Sequence, residues 1–215
     1  QDKGNFQMAA EQYKKILQSQ PQNFTMQFNQ GACLLALKDY SGAAEALSKA
    51  VKIDGSVAEA HALLGQTEAA RGRLPEAISE LRGALAIKQD RADWYAQLGD
   101  ALSKQKDFTG AIEAYRQSQN LNPQDTATGY SLGYVLQTTG QLDDAARAFE
   151  HVVKLNPNYT NAHYNLGIIK QKQKDLPGAE AEFKRVLALN SNDGQAYINL
   201  GRTLLLQGDL NQAVG

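Results

Sequence analysis

A glycine recurs every 34 residues along this chain, at Gly31, Gly65, Gly99, Gly133, Gly167 and Gly201, and no insertion breaks the step. An alanine keeps the same step at Ala9, Ala43, Ala77, Ala111, Ala145, Ala179 and Ala213. Four residues after the alanine comes a large side chain: Tyr13, Leu47, Leu81, Tyr115, Phe149 or Phe183. A strict period of this length is the mark of a repeat architecture, in which each unit is one supersecondary element that cannot bury its apolar face alone. The spacing within the period predicts two helices per repeat. Apolar residues fall three and four apart on each side of a short polar break such as Lys38-Asp39 or Gly140-Gln141. Gly4, Gly72, Gly140 and Gly208 share one register in that break, where a positive φ ends the first helix. Pro75 and Pro177 fall in the first turn of the second helix, where a missing N–H costs nothing. The small glycine and alanine are expected where the two helices of a hairpin cross closely. The leucines and aromatics are expected to fill the space between hairpins.

Bulk properties narrow the function. The formal net charge is -1, and hydrophobic residues make up 42% of the chain, which fits a folded protein and gives no electrostatic reason to expect nucleic acid as a partner. No apolar run is long enough to span a bilayer, so membrane insertion is not expected. The single cysteine, Cys33, excludes an intrachain disulfide and falls on the packed side of its helix, which reads as inert rather than nucleophilic. The compartment is left open, with the cytoplasm as the default. His61 and His163 occupy a stacking register, His151 falls on the second helix, and their spacings fit no metal-ligand pattern. The glycines lie inside helices or in the turn between them, so none forms a phosphate-cradling loop. The acidic pair Asp143-Asp144 belongs to a helix's first turn, where negative charge complements the dipole. No catalytic residue, metal site or cofactor is predicted, and the chain reads as a non-enzyme.

The residues Tyr95, Leu98-Gly99, Leu102, Ala111, Tyr115 and Pro123 resemble the tetratricopeptide repeat, whose pattern is W-x2-L-G-x2-Y, then A-x3-F, then P. The resemblance covers essentially the whole chain. It implies an all-α, right-handed superhelical solenoid of antiparallel helix pairs, a single array over 1–215. Full repeats are expected at 24–57, 58–91, 92–125, 126–159 and 160–193. Residues 1–23 read as the end of a first helix plus a full second helix. Residues 194–215 read as a truncated repeat that stops mid-helix, so the chain looks like a piece of a longer array. Self-association through uncapped ends is a further expectation.

In this family the first helix of each hairpin lines a concave groove that holds a protein or peptide partner. Its sixth position reads Asn29, Leu63, Gln97, Ser131, Asn165 and Asn199. Amides both donate and accept, so a row of them can grip a peptide backbone with little regard to sequence. The segments from His163 to Gly167 and from Tyr197 to Gly201 resemble the asparagine ladder in the repeat arm of the O-linked N-acetylglucosamine transferases. That likeness raises a second expectation, the substrate-recognition arm of a larger enzyme. Tyr130, Tyr134 and Tyr164, at the fifth and ninth positions, are expected to cluster as aromatic anchors. Asp100 on the acidic N-terminal side, and Lys172 and Arg202 on the C-terminal side, complete the predicted partner-binding set. Trp94 is expected to fill the space between hairpins. The carboxylate clamp that binds chaperone tails is not matched, because no repeat carries its lysine at position five or its asparagine at position nine.

Overall fold

The structure, a computed structural model, describes residues 2–208, with side chains described from Gly4 onward. Ala213, the last alanine of the register, and the expected stop within a helix at 211–215 lie outside the described residues. Within them are twelve α-helices and no strand. After α1 (Asp2–Ser19), first helices alternate with second helices. The first helices are α2 (Phe24–Ala36), α4 (Ala58–Ala70), α6 (Ala92–Lys104), α8 (Thr126–Thr138), α10 (Thr160–Lys172) and α12 (Gly194–Gln207). The second helices are α3 (Tyr40–Ile53), α5 (Leu74–Ile87), α7 (Phe108–Leu121), α9 (Leu142–Leu155) and α11 (Leu176–Leu189). Starts of equivalent helices keep the 34-residue step of the sequence.

The chain reverses between paired helices through one left-handed residue. Gly72 and Gly140 take φ of 77° and 79°, and Gly208, which ends α12, takes 84°. In the alternate repeats the same register is lysine: Lys38, Lys106 and Lys174 take φ of 64°, 67° and 66°. Each of these lysines precedes an aspartate, Asp39, Asp107 or Asp175, whose carboxylate accepts a hydrogen bond from the N–H of Gly42, Gly110 or Gly178. Such caps satisfy amides that the helix itself leaves unpaired. Asn23, Asp125 and Asp193 cap first helices in the same way. Pro75 and Pro177 sit in the first turn of α5 and α11, as their positions predicted. Gly4 departs from the expectation. α1 runs through it without a break, so the described residues show one continuous helix there rather than the end of one and the start of another.

A non-glycine residue in the left-handed region pays a steric cost that glycine avoids. Lys106 is exposed. Lys106→Gly is therefore expected to stabilise the protein by about 0.5–1 kcal/mol, the strain relieved outweighing the extra freedom of the unfolded chain. Urea denaturation checks it, and a variant less stable than the parent would refute the strain.

Packing inside each hairpin follows from the repeated small and large residues. A Cβ added to Gly31, Gly65, Gly99, Gly133 or Gly167 would lie 2.5–2.8 Å from Leu47, Leu81, Tyr115, Phe149 or Phe183 respectively. The first-helix glycine is thus the slot for the large residue of the second helix. Ala43, Ala77, Ala111, Ala145 and Ala179 are fully buried. The helices form two compact units, Gln1–Leu121 and Asn122–Gly215. In the first unit α2, α4 and α6 touch in series; in the second, α10 touches both α8 and α12.

Candidate partner-binding faces

In the first unit the first helices bound a cleft of about 230 Å³, lined by Phe28, Leu63, Trp94, Gln66, Gln97 and the acids Glu59 and Asp93 among others. Phe28 and Leu63 pack against the buried cluster of Ala44, Leu47 and Leu64, which fixes the floor. Trp94 is buried, as predicted for a filler, yet its ring also walls the cleft and carries the Arg91 guanidinium 4.2 Å from its centroid. Gln97 Oε1 is shielded from solvent and has no hydrogen-bond partner among the described residues. An orphaned buried acceptor costs about 1–3 kcal/mol, so Gln97, a half-buried residue of the cleft wall, gains by turning its amide toward a donor there.

The acids around the cleft are matched. Arg91 Nε and Nη2 donate to Asp93 at 2.9 and 2.7 Å, and Lys88 Nζ lies 3.5 Å from Glu59. Burial pushes the Asp93 carboxyl up, but the Arg91 hydrogen bonds and charge outweigh it and hold the group below the usual carboxylate range. Of the other predicted residues in this unit, Asn29 is half-buried, and Asp100 is exposed and accepts from the Tyr115 hydroxyl at 2.7 Å.

In the second unit the predicted residues divide into two groups. Asn165 Nδ2 donates to the Tyr130 hydroxyl at 3.1 Å, and Asn199 Nδ2 donates to the Tyr164 hydroxyl at 3.0 Å. Asn199 is only 7% exposed, and its Nδ2 also donates to the Gln195 carbonyl. These amides tie the sixth position of one repeat to the fifth position of the repeat before. Tyr130 further stacks on Tyr159 at 5.2 Å between centroids and tilts against Phe149, while Tyr164 meets Phe183 edge-on. Burial, with Tyr130 and Asp125 nearby, pushes the Tyr159 hydroxyl up. The second group points outward: Tyr134 is 55% exposed, and Lys172 and Arg202 are exposed.

Two polar clusters went unread in the sequence. His163 Nδ1 meets Glu182 Oε2 at 2.7 Å and its Nε2 meets the Pro157 carbonyl at 3.0 Å, while Lys170 Nζ donates to Glu182 Oε1 at 2.8 Å. His61 repeats the arrangement with Glu80 at 2.6 Å and the Gly55 carbonyl at 3.1 Å. The signal was available, since Glu80 and Glu182 stand 19 residues after their histidines. His151 Nε2 meets the Pro123 carbonyl at 2.8 Å. Burial pushes the Cys33 thiol up, away from the reactive thiolate. Among the described residues no three His, Cys, Asp or Glu side chains gather as metal ligands, and no helix is long and apolar enough to cross a membrane.

Helix pairs of fixed length, glycine slots opposite large second-helix residues, and first helices that touch in series within each unit define an α-helical hairpin-repeat protein. The family model described as Tetratricopeptide repeat matches residues 1–58 and 130–193, and further models of the same description match 92–125, 182–215 and 58–82. The chain belongs to the tetratricopeptide repeat family. A TPR repeat-containing protein of Methanocaldococcus jannaschii is 28% identical over 114 residues, which is 53% of this chain and 20% of that protein. The chain therefore spans a fifth of that relative's length.

Solved structures agree in fold. YrrB, described as a TPR protein with an unusual peptide-binding site, is 22% identical with a TM-score of 0.78, over 87% of this chain and 96% of its own. MamA is 25% identical with a TM-score of 0.72, over 77% and 96%. The C-terminal part of a TPR repeat-containing protein from Cytophaga hutchinsonii gives a TM-score of 0.81 at 16% identity, over 97% and 88%.

Proposed function

We propose that this protein is an interaction scaffold that holds an extended segment of a partner protein against the first helices of its hairpins. The observation that carries this reading is Gln97. Its amide oxygen is unpartnered and shielded from solvent, while the residue itself is half-buried and lines a cleft with Phe28, Leu63 and Trp94, so a turn of the amide presents the oxygen to a guest. A peptide in extended form presents backbone N–H groups and side chains together, so one segment can donate to Gln97 and seat an apolar side chain beside it. YrrB, described as having an unusual peptide-binding site, supports peptide binding on a similar fold.

The test begins with a random-peptide display selection against the chain. Selected peptides are then measured by fluorescence anisotropy on the parent, on Gln97→Leu and on Gln66→Trp. Gln66 is exposed at the rim of the cleft, so a tryptophan there obstructs it without touching the core. Binding is expected to weaken roughly tenfold in Gln97→Leu, the size of one lost hydrogen bond to a desolvated group, and to vanish in Gln66→Trp. Peptides that bind both variants as tightly as the parent would place the site elsewhere.

A further inference from the structure

The first helices of the two units differ in charge and, more tellingly, in how that charge is answered. In the first unit α4 and α6 carry Glu59, Glu68, Asp93 and Asp100. Every one of these acids meets a partner: Lys88, Arg71, Arg91 and the Tyr115 hydroxyl respectively. In the second unit α8, α10 and α12 carry no acid at all, and their charged residues are Lys170, Lys172 and Arg202. Lys170 is held by Glu182. Lys172 and Arg202 are exposed and meet no acidic side chain among the described residues. Asp143, at the start of α9, accepts from Gln173.

Placement makes the two cations a pair. Tyr134, Ile168 and Arg202 hold the same position on three first helices, with α10 touching both α8 and α12. Lys172 stands one turn beyond Ile168 on the same face of α10. One turn is about 5.4 Å and neighbouring helices lie about 8–10 Å apart, so the two side chains leave the backbone roughly 10 Å from each other. An extended chain covers that distance in about three residues. Beside them Tyr134 is 55% and Ile198 56% exposed, so aromatic and aliphatic surface flanks the charges.

We propose that the first-helix face of the second unit takes an acidic peptide segment, with two carboxylates about three residues apart meeting Lys172 and Arg202, and with apolar side chains resting on Tyr134 toward α8 and on Ile198 toward α12. The inference rests on the reading that first-helix faces hold peptides, and it adds the chemistry of the guest. Charge complementarity carries it, because each cation is already in place, solvated and unneutralised, so a carboxylate gains an ion pair without breaking one.

Three labelled peptides of one length test it by fluorescence anisotropy. All carry the same leucine and phenylalanine residues; every third position is glutamate in the first, glutamine in the second and lysine in the third. On the parent chain the glutamate peptide is expected to bind roughly tenfold tighter than the glutamine peptide, and to lose that advantage at high salt. The double variant Lys172→Glu/Arg202→Glu is expected to reverse the order and prefer the lysine peptide. Both positions are exposed, and an unchanged thermal melt by circular dichroism verifies the fold. Equal binding of all three peptides, or an undiminished preference for glutamate in the double variant, overturns the inference while leaving peptide binding intact. Binding of none of them, in a chain that also yields no peptide in the display selection, overturns the inference together with the reading beneath it.

Discussion

Phe149→Ala is expected to lower the stability of the protein by about 3–5 kcal/mol. Phe149 has no solvent exposure. Its ring occupies the slot left by Gly133, where an added Cβ would lie 2.8 Å from Cε1, and the Tyr130 ring sits 5.6 Å away, centroid to centroid. Neither neighbour can close the space. Gly133 has no side chain to move in, and the Tyr130 hydroxyl is held by Asn165 and its ring by Tyr159. The truncation therefore leaves a cavity, and the cost approaches the upper part of the range for a buried aromatic.

A second substitution separates this account from a general loss of apolar area. Gly133→Ala alone pushes a methyl group against the ring and should destabilise by about 1–3 kcal/mol. In the Phe149→Ala background the same methyl enters empty space, so its cost should fall to nothing or change sign. That is a coupling of about 1–3 kcal/mol between the two positions. Guanidinium denaturation of the four proteins measures it. Additive costs would mean that the glycine is not the slot for the ring.

Much of this hairpin could be read before any coordinates. The 34-residue step placed the helices, because a helix pair that buries one face must repeat its apolar pattern as a unit. Gly133 was legible as a point of close approach and Phe149 as a core residue, but the sequence alone puts the ring between hairpins, whereas the structure seats it opposite Gly133 within one. What the sequence could not give was pairing between repeats. Tyr130 and Asn165 looked like two members of an exposed inner row, since each has a polar end. The structure joins them in a hydrogen bond, as it joins Tyr164 and Asn199. A period fixes which positions face the same way, but the distance between a fifth position and the sixth position of the next repeat depends on how hairpins stack. The same holds for Gln97, whose orphaned oxygen is a property of its surroundings and not of its type. Lys38, Lys106 and Lys174 were missed for a different reason: left-handed backbone is expected at glycine, and only a structure reveals a lysine bearing that cost.

Glu182→Ala is expected to cost about 2–4 kcal/mol, and the size follows from what it abandons rather than from what it removes. The Glu182 side chain is 14% exposed and accepts from both His163 and Lys170. Its loss leaves an ammonium and an imidazole nitrogen in a mostly desolvated place with nothing to receive their hydrogens, and a buried charge without a partner is penalised far more than a made pair is rewarded. Glu80→Ala is the control. Glu80 serves His61 alone and is 25% exposed, so about 1–2 kcal/mol is expected there. The register supplies the decisive variant. The three cluster positions are Tyr95, Leu102 and Ala114 in the repeat at 92–125, where Leu102 and Ala114 are buried and Tyr95 is half-buried. Exchanging the cluster for that set, as His163→Tyr, Lys170→Leu and Glu182→Ala together, removes every polar group that would be stranded. The triple variant should therefore recover most or all of what Glu182→Ala loses, since a hydrophobic replacement for a buried ionic cluster is often neutral or stabilising. Urea denaturation of the four proteins decides it. If the triple variant is as unstable as Glu182→Ala, the cluster does more than satisfy its own members, and the two repeats are not interchangeable at these positions.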